Sequence, residues 1–261
     1  MGFVSIKGVG KVNVNLERFS LDLNGLGIKR IKDIIGLQDL SELRRLELQG
    51  NKLTTVEDLE HLRSLDELFL SANKIFSIRG LNSLPQLERL ILGSNKFVTI
   101  HGLVGMTNLR ELGLGLNDIT TIQGLDTLSN LLKLDLSINK ISEIKGFDNL
   151  VNLRLLTLRS NKITHIHGLQ NLSNLEYLNL NRNPIRTLEG IESLTKLKEL
   201  FIDDTKLTSV VNELDKLPNL KSLSIKGSLG HIPFEEFRYL IEEKGVSILP
   251  YGVPPYEPSY E

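Results

Sequence analysis

Five histidines and 32 carboxylates, with no cysteine at all, are the side chains this sequence could use for chemistry. His165 and His167 form a His-x-His pair, and His101 shares the sequence slot of His167. Such a pair can hold a transition metal when acidic residues complete the shell. No Asp or Glu stands at ligand spacing beside it, so these histidines read as solvated loop residues, like His61 and His231. The absence of cysteine removes disulfides, thiolate metal sites and thiol nucleophiles together. Gly8-Val9-Gly10 lacks the third glycine and the following helix of a phosphate-binding loop. No Gly-x-Ser-x-Gly elbow or acidic metal loop occurs. The chain therefore reads as non-enzymatic, with no catalytic residue, no metal and no cofactor.

What remains is recognition, and an internal repeat must position it. Asn recurs every 22 residues at 51, 73, 95, 117, 139, 161 and 183, with Thr205 in the next slot. Each is preceded by Leu-x-Leu, as in Leu134-Asp135-Leu136 before Asn139. The period of two predicts a strand with one buried face. After each Asn the apolar spacing lengthens to three, as at Ile141, Ile144, Phe147, Leu150 and Leu153, which suits 3₁₀ turns returning along the outer side. A fixed period of this length predicts stacked identical units rather than a fold around one central pocket. The Asn amide can bond backbone groups that each turn leaves unpaired. The glycine column at 80, 102, 124, 146, 168 and 190 predicts positive φ or close backbone approach. Counting Leu21-Asp22-Leu23 and Leu223-Ser224-Ile225 gives ten strand motifs, with Leu26 and Ser228 replacing Asn at the ends.

The unit Leu-x-x-Leu-x-Leu-x-x-Asn-x-Ile-x-x-Ile-x-Gly-Leu resembles the 22-residue class of leucine-rich repeats. That class holds the regulatory leucine-rich-repeat subunit of protein phosphatase 1 and the bacterial internalins. The resemblance implies an α/β solenoid, a right-handed curved stack with a parallel concave sheet. Residues 1–18, with Val4, Ile6, Val12 and Val14 flanking Gly8-Val9-Gly10, read as an N-terminal hairpin cap. Residues 19–228 are the repeats, and 229–249 a C-terminal cap. His231 to Gly245 reads as its helix, with Pro233 in the first turn, Glu235 and Glu236 at the positive N-terminal end, Gly245 as the C-terminal cap, and Phe234, Phe237, Leu240 and Ile241 on one covering face. Residues 250–261 read as an extended or disordered Pro/Tyr-rich tail.

Strand residues pointing away from the core cover the concave face, where packing does not dictate them. The central column reads Asp22, Glu47, Phe69, Ile91, Gly113, Asp135, Thr157, Asn179, Phe201 and Ser224. The column before it alternates Arg45, Glu67, Arg89, Glu111 and Lys133, a solvated charge ladder. Phe69 beside Ile91, and Tyr177 beside Phe201, form two apolar spots on this exposed face. Arg159, Asn179, Arg182, Glu199, Asp203 and Asp204 surround the second, and aromatics with Arg and a polar rim are the composition of interface hot spots. Gly113 leaves the middle strand either unadorned or open to a partner backbone. In the phosphatase-binding relatives the central column is acidic and aromatic. Asp22, Glu47, Phe69 and Phe201 match that pattern, whereas Ile91, Gly113, Thr157, Asn179 and Ser224 depart from it.

The expected function is a scaffold binding a protein partner on its concave face. The alternatives are a regulatory subunit of a phosphatase or other enzyme, and an internalin-like surface adhesin. A net charge of -1 gives no basic footprint for nucleic acid. No apolar run spans a membrane and the first residues show no signal peptide. The expectation is a monomer in the cytoplasm, or the nucleus of a eukaryote.

Overall fold

The computed structural model describes residues 2–227 and 232–249. The expected Pro/Tyr tail, Ser228, His231 and the side chains of Phe234 and Phe237 lie outside the described residues.

The chain begins with a hairpin of β1 (Phe3–Ile6) and β2 (Gly10–Asn13). β3 (Ser20–Asp22) follows, and the short β4 (Ile34–Ile35) pairs back onto β1. The repeats then contribute one three-residue strand each: β5 (Arg45–Glu47), β6 (Glu67–Phe69), β7 (Arg89–Ile91), β8 (Glu111–Gly113), β9 (Lys133–Asp135), β10 (Leu155–Thr157), β11 (Tyr177–Asn179), β12 (Glu199–Phe201) and β13 (Ser222–Ser224). Together with β3 and β14 (Ser247–Ile248) they form one 11-stranded sheet, parallel throughout and in sequence order. The register pairs equivalent residues, for example Leu134 with Leu156 and Asp135 with Thr157. Ser247–Ile248 was not among the ten expected motifs. It joins because the chain after the last helix runs back along β13 and donates the Ser247 and Leu249 N–H groups to it.

Leucines at the middle strand position are fully buried, and one continuous apolar core runs from Val4 to Val246. On the returning side the three-residue spacing closes into tight turns. Leu128 N–H donates to Leu125 O and Leu131 N–H to Leu128 O, each at 3.0 Å. Regular 3₁₀ turns form at Ile31–Asp33, Leu37–Asp39 and Leu81–Ser83. The Asn column bridges repeats as its amide chemistry requires. Asn161 Nδ2 donates to Leu136 O and Leu158 O at 2.9 Å, and its Oδ1 accepts the Ile141 N–H at 3.0 Å. A second amide ladder escaped the sequence reading. Asn108, Asn130, Asn152 and Asn174 each donate to a carbonyl of the preceding repeat, Asn152 to Ser129 O at 2.9 Å. The glycine column is explained at Gly168. Its φ is +86°, and a Cβ there would sit 2.5 Å from Ile144 O, so the close approach excludes any side chain.

Between β12 and β13 the repeat carries one extra residue, accommodated by the four-residue α1 (Val211–Leu214). Helix α2 (Phe234–Glu242) packs beside it. Glu236 was expected to serve its own helix N-terminus. Instead its Oε2 accepts the Val210 and Val211 N–H groups at 2.8 and 3.1 Å, capping α1. Tyr239 and Lys244 both reach Asp215. Leu240 is buried as expected, but Ile241 is 50% exposed. One residue is a rotation of about 100° on a helix, so the buried stripe takes Leu240 and leaves Ile241 in solvent.

Candidate functional site

The strand register places the central column where the sequence put it, but from Phe69 to Ser224 the column is buried rather than in solvent. Phe69, Ile91, Tyr177 and Phe201 are all buried, as are Asp135, Asn179 and Asp203. The expectation of an exposed apolar face is corrected on this point. In-register parallel strands stand about 4.8 Å apart, so equivalent side chains stack and cover one another. Tyr177 and Phe201 illustrate this, with ring centroids 5.0 Å apart and planes tilted by 36°. Asn179 donates to the Tyr177 hydroxyl at 3.4 Å, and burial pushes the Tyr177 phenol well above its ordinary range. Asp203 is committed to structure. Its carboxylate accepts from Asn181 Nδ2, Ser224 Oγ and the Lys226 N–H.

The alternating charges form a network rather than a solvated ladder. Arg45 pairs with Glu47 at 2.8 Å and with Glu67, Arg89 with Glu111 at 3.2 Å, and Lys133 with Glu111 at 3.8 Å. Two guanidiniums of this network sandwich Phe69, Arg45 at 4.2 Å and Arg89 at 5.1 Å from the ring centroid. Gly113 has a reason that neither expectation named. A Cβ there would lie 3.2 Å from Ile91 Cδ1, so the glycine makes room for Ile91 to lean across β8.

Asp135 is the exception in this column. Its residue is 4% exposed, and its Oδ1 accepts the Ser137 N–H at 2.8 Å. Its Oδ2 is buried without a hydrogen-bond partner. Burial pushes the carboxyl up to about 6, against the weaker pull of the Ser137 bonds and the Arg159 charge. Arg159 is half-buried nearby, whereas Arg182 pairs with Asp204 at 3.5 Å on the exposed rim.

An open cleft of about 460 Å³ lies where β9 to β12 begin. Leu132, Leu155 and Tyr177 give it an apolar floor, and Lys133, Arg154, Glu176, Lys198 and Glu199 a charged rim. Lys198 and Glu176 pair across it at 2.5 Å, and the Lys198 hydrogen bond, helped by its charge, holds the Glu176 carboxyl below its ordinary value. Of the expected site residues, only Tyr177 and Glu199 line this cleft. Leu132 was missed, although its slot is charged in the neighbouring repeats, at Arg110, Arg154 and Glu176.

A second missed feature is the residue before each Asn from Asn73 to Asn183 and before Thr205. Ala72, Ser94, Leu116, Ile138, Ser160, Arg182 and Asp204 all adopt left-handed backbone, with φ between 53° and 57°. Leu116 and Ile138 are bulky residues in that strained region, and their side chains are 40% and 42% exposed.

On the outer side His165 and His167 stack with centroids 5.9 Å apart. No group of three potential metal ligands gathers among the described residues. No helix among them is long and apolar enough to cross a membrane.

Two family profiles match the chain, "Leucine rich repeat" over residues 15–75 and "Leucine Rich repeats (2 copies)" over residues 151–193. No curated protein matches it. Among solved structures it is similar to a leucine-rich-repeat protein of Leptospira interrogans, with 27% identity and a TM-score of 0.65 over 81% of this chain. The match spans 62% of that protein's length. Internalin C2 of Listeria monocytogenes is 28% identical with a TM-score of 0.67, over 77% of this chain and 89% of its own. The chain is a leucine-rich-repeat protein whose repeats resemble those of the internalins.

Proposed function

We propose that the chain is a scaffold that binds a protein partner on the concave side of its sheet, with the cleft at the start of β9 to β12 as the principal contact. The observation that carries this reading is the cleft's composition, an apolar floor of Leu132, Leu155 and Tyr177 inside a rim of both charge signs. A floor fixed on rigid strands pays little ordering cost when a partner side chain desolvates it. The rim charges would then set orientation and association rate more than affinity. The hairpin of β1 and β2 and the helix α2 act as caps that keep the ends of the core dry. The candidate contacts narrow accordingly, with the buried Phe201, Asn179 and Asp203 supporting the face from beneath. A second reading, an internalin-like surface adhesin using the same face, is favoured by the similarity to internalin C2.

Capture from an extract of the source cell tests this, comparing the native chain with Leu155→Glu in the cleft and His167→Ala on the outer side. The expected result is a protein captured by the native chain and by His167→Ala and lost with Leu155→Glu. Capture that survives Leu155→Glu and fails with His167→Ala would move the site to the outer side.

A further inference from the structure

We propose that Asp135 is a cation-binding anchor in the concave face. It would receive a Lys or Arg side chain from an extended partner segment that carries apolar residues on either side of the basic one. This inference rests on the concave-face reading and adds the chemistry of the partner. Three independent observations meet along strand β9. The first is the Asp135 Oδ2 atom, buried and without a hydrogen-bond partner, although it belongs to a carboxylate. Unpaired buried acceptors are rare because each costs the desolvation of the group. The second is the apolar floor of Leu132 and Leu155 beside the start of the strand. The third lies at its other end, where Leu116 and Ile138 hold exposed apolar side chains on left-handed backbone. Strain and exposure at the same two residues are a combination that folding alone does not favour.

The geometry selects an extended ligand. Leu132 and Ile138 bracket Asp135 three residues to either side on one chain. Alternate residues of an extended segment face the same way, so positions i, i+2 and i+4 of a partner can meet the cleft, Asp135 and the rim together. Among the described residues no cation is hydrogen-bonded to Asp135 Oδ2. Arg159, after β10, attracts it without a hydrogen bond to it. Lys133 on its own strand is engaged with Glu111 of β8, and Tyr177 of β11 is the remaining titratable neighbour. A guanidinium or ammonium delivered to Oδ2 would satisfy the acceptor and favour the ionised carboxyl.

The test is an NMR titration of the full chain with the acetylated and amidated pentapeptide Leu-Gly-Arg-Gly-Leu, beside the same peptide with Glu in place of Arg. Amide shifts across the sheet and the carboxyl carbon of Asp135 are followed at neutral pH. The inference expects saturable shifts at Asp135, Gly113, Leu116 and Ile138. It expects binding at least about tenfold weaker for the Glu peptide and for the Asp135→Asn variant. That variant keeps the acceptor for the Ser137 N–H, so the fold is retained. Arg159→Gln should bind the Arg peptide at least as well as the native chain. If Arg and Glu peptides shift Leu155 and Tyr177 equally and leave Asp135 unmoved, the anchor is overturned while the concave reading stands. Shifts confined to the outer side, at Phe76 or His167, would overturn both. So would binding lost in Arg159→Gln overturn the anchor, because Arg159 would then be the cation that matters. Absence of any saturable shift also overturns it.

Discussion

Phe69 and Asp135 occupy the same slot three repeats apart, on identical backbone, and meet opposite surroundings. Phe69 lies between Arg45 and Arg89, whose charges are neutralised by Glu47, Glu67 and Glu111. Each charge there has a partner of opposite sign, although Arg89 Nε is itself buried without a hydrogen-bond partner. Asp135 is equally buried, but its Oδ2 has none, and the apolar residues near it are exposed on strained backbone. A solenoid makes this comparison unusually clean, because the scaffold term is the same in both places. What differs is the side chains alone. The charges around Phe69 pair with one another, whereas one oxygen of the Asp135 carboxylate is left without a hydrogen-bond partner.

The largest effect would break the comparison at its foundation, the shared scaffold. Leu68 and Leu134 are each fully buried at the same slot of their repeats. Leu68→Ala and Leu134→Ala should each destabilise by about 2–5 kcal/mol and by similar amounts. Denaturant melts that show one of them nearly neutral would mean that the two halves differ in their cores. The contrast on the surface would then need another cause.

Asp135→Asn should come next and carry the opposite sign. The folded carboxyl titrates at about 6, above the ordinary value of 3.8 for an unfolded chain. The fold therefore holds this proton more tightly than the unfolded state does, and ionisation destabilises it. The penalty is absent below the unfolded value, grows as pH rises through this window, and is complete above about 6. At pH 7 the Asn variant should be more stable by about 1–3 kcal/mol, and the difference should shrink as the pH is lowered towards 4. A pH-independent difference in melts, or destabilisation at pH 7, would show that Asp135 finds a partner in solution.

The same contrast shows how far the sequence could be read. The 22-residue period carried the strands, the Asn ladder and the glycine column, because each is a backbone demand repeated in every unit. Burial of the central column was not legible. Alternation assigns Phe69 and Tyr177 to the face opposite the core, but it does not say that stacked neighbours close over that face. Gly113 likewise makes sense only beside Ile91, a residue 22 positions away. The cleft was legible in principle, since Leu132 breaks a column that is charged in its neighbours. Strand β14 has no repeat signature, and the packing of α2 against α1 is what returns the chain to the sheet edge.

Ile138→Asn probes the strained rim. A β-branched residue at φ 53° is costly, whereas Asn tolerates left-handed backbone and Gly, Ala and Ser fill this slot in other repeats. The variant should gain about 1 kcal/mol in thermal melts while losing an exposed apolar contact for a partner. Ser160→Asn, one repeat on, is the comparison and should change little, because Ser160 has no exposed apolar side chain to lose. Equal gains at both positions would mean that strain is uniform along the rim and does not mark the middle of the face.

The smallest effect tests the ion-paired half. Arg45 joins two carboxylates and stacks on Phe69, so removing its charge in Arg45→Gln loses ion pairs and the cation–π contact together. Its side chain is 38% exposed, and solvent screens much of this, which limits the loss to about 0.5–1 kcal/mol. The loss should fall further at high salt, since exposed pairs are screened within about 3 Å at 1 M ionic strength. The direction matters more than the size. Removing a charge from the region of Phe69 should destabilise, and removing one from Asp135 should stabilise. Melts of the two variants in the same buffer at pH 7 measure this directly. If both changes moved stability the same way, the face would be electrostatically uniform, and the case for an added partner at its middle would rest on the cleft alone.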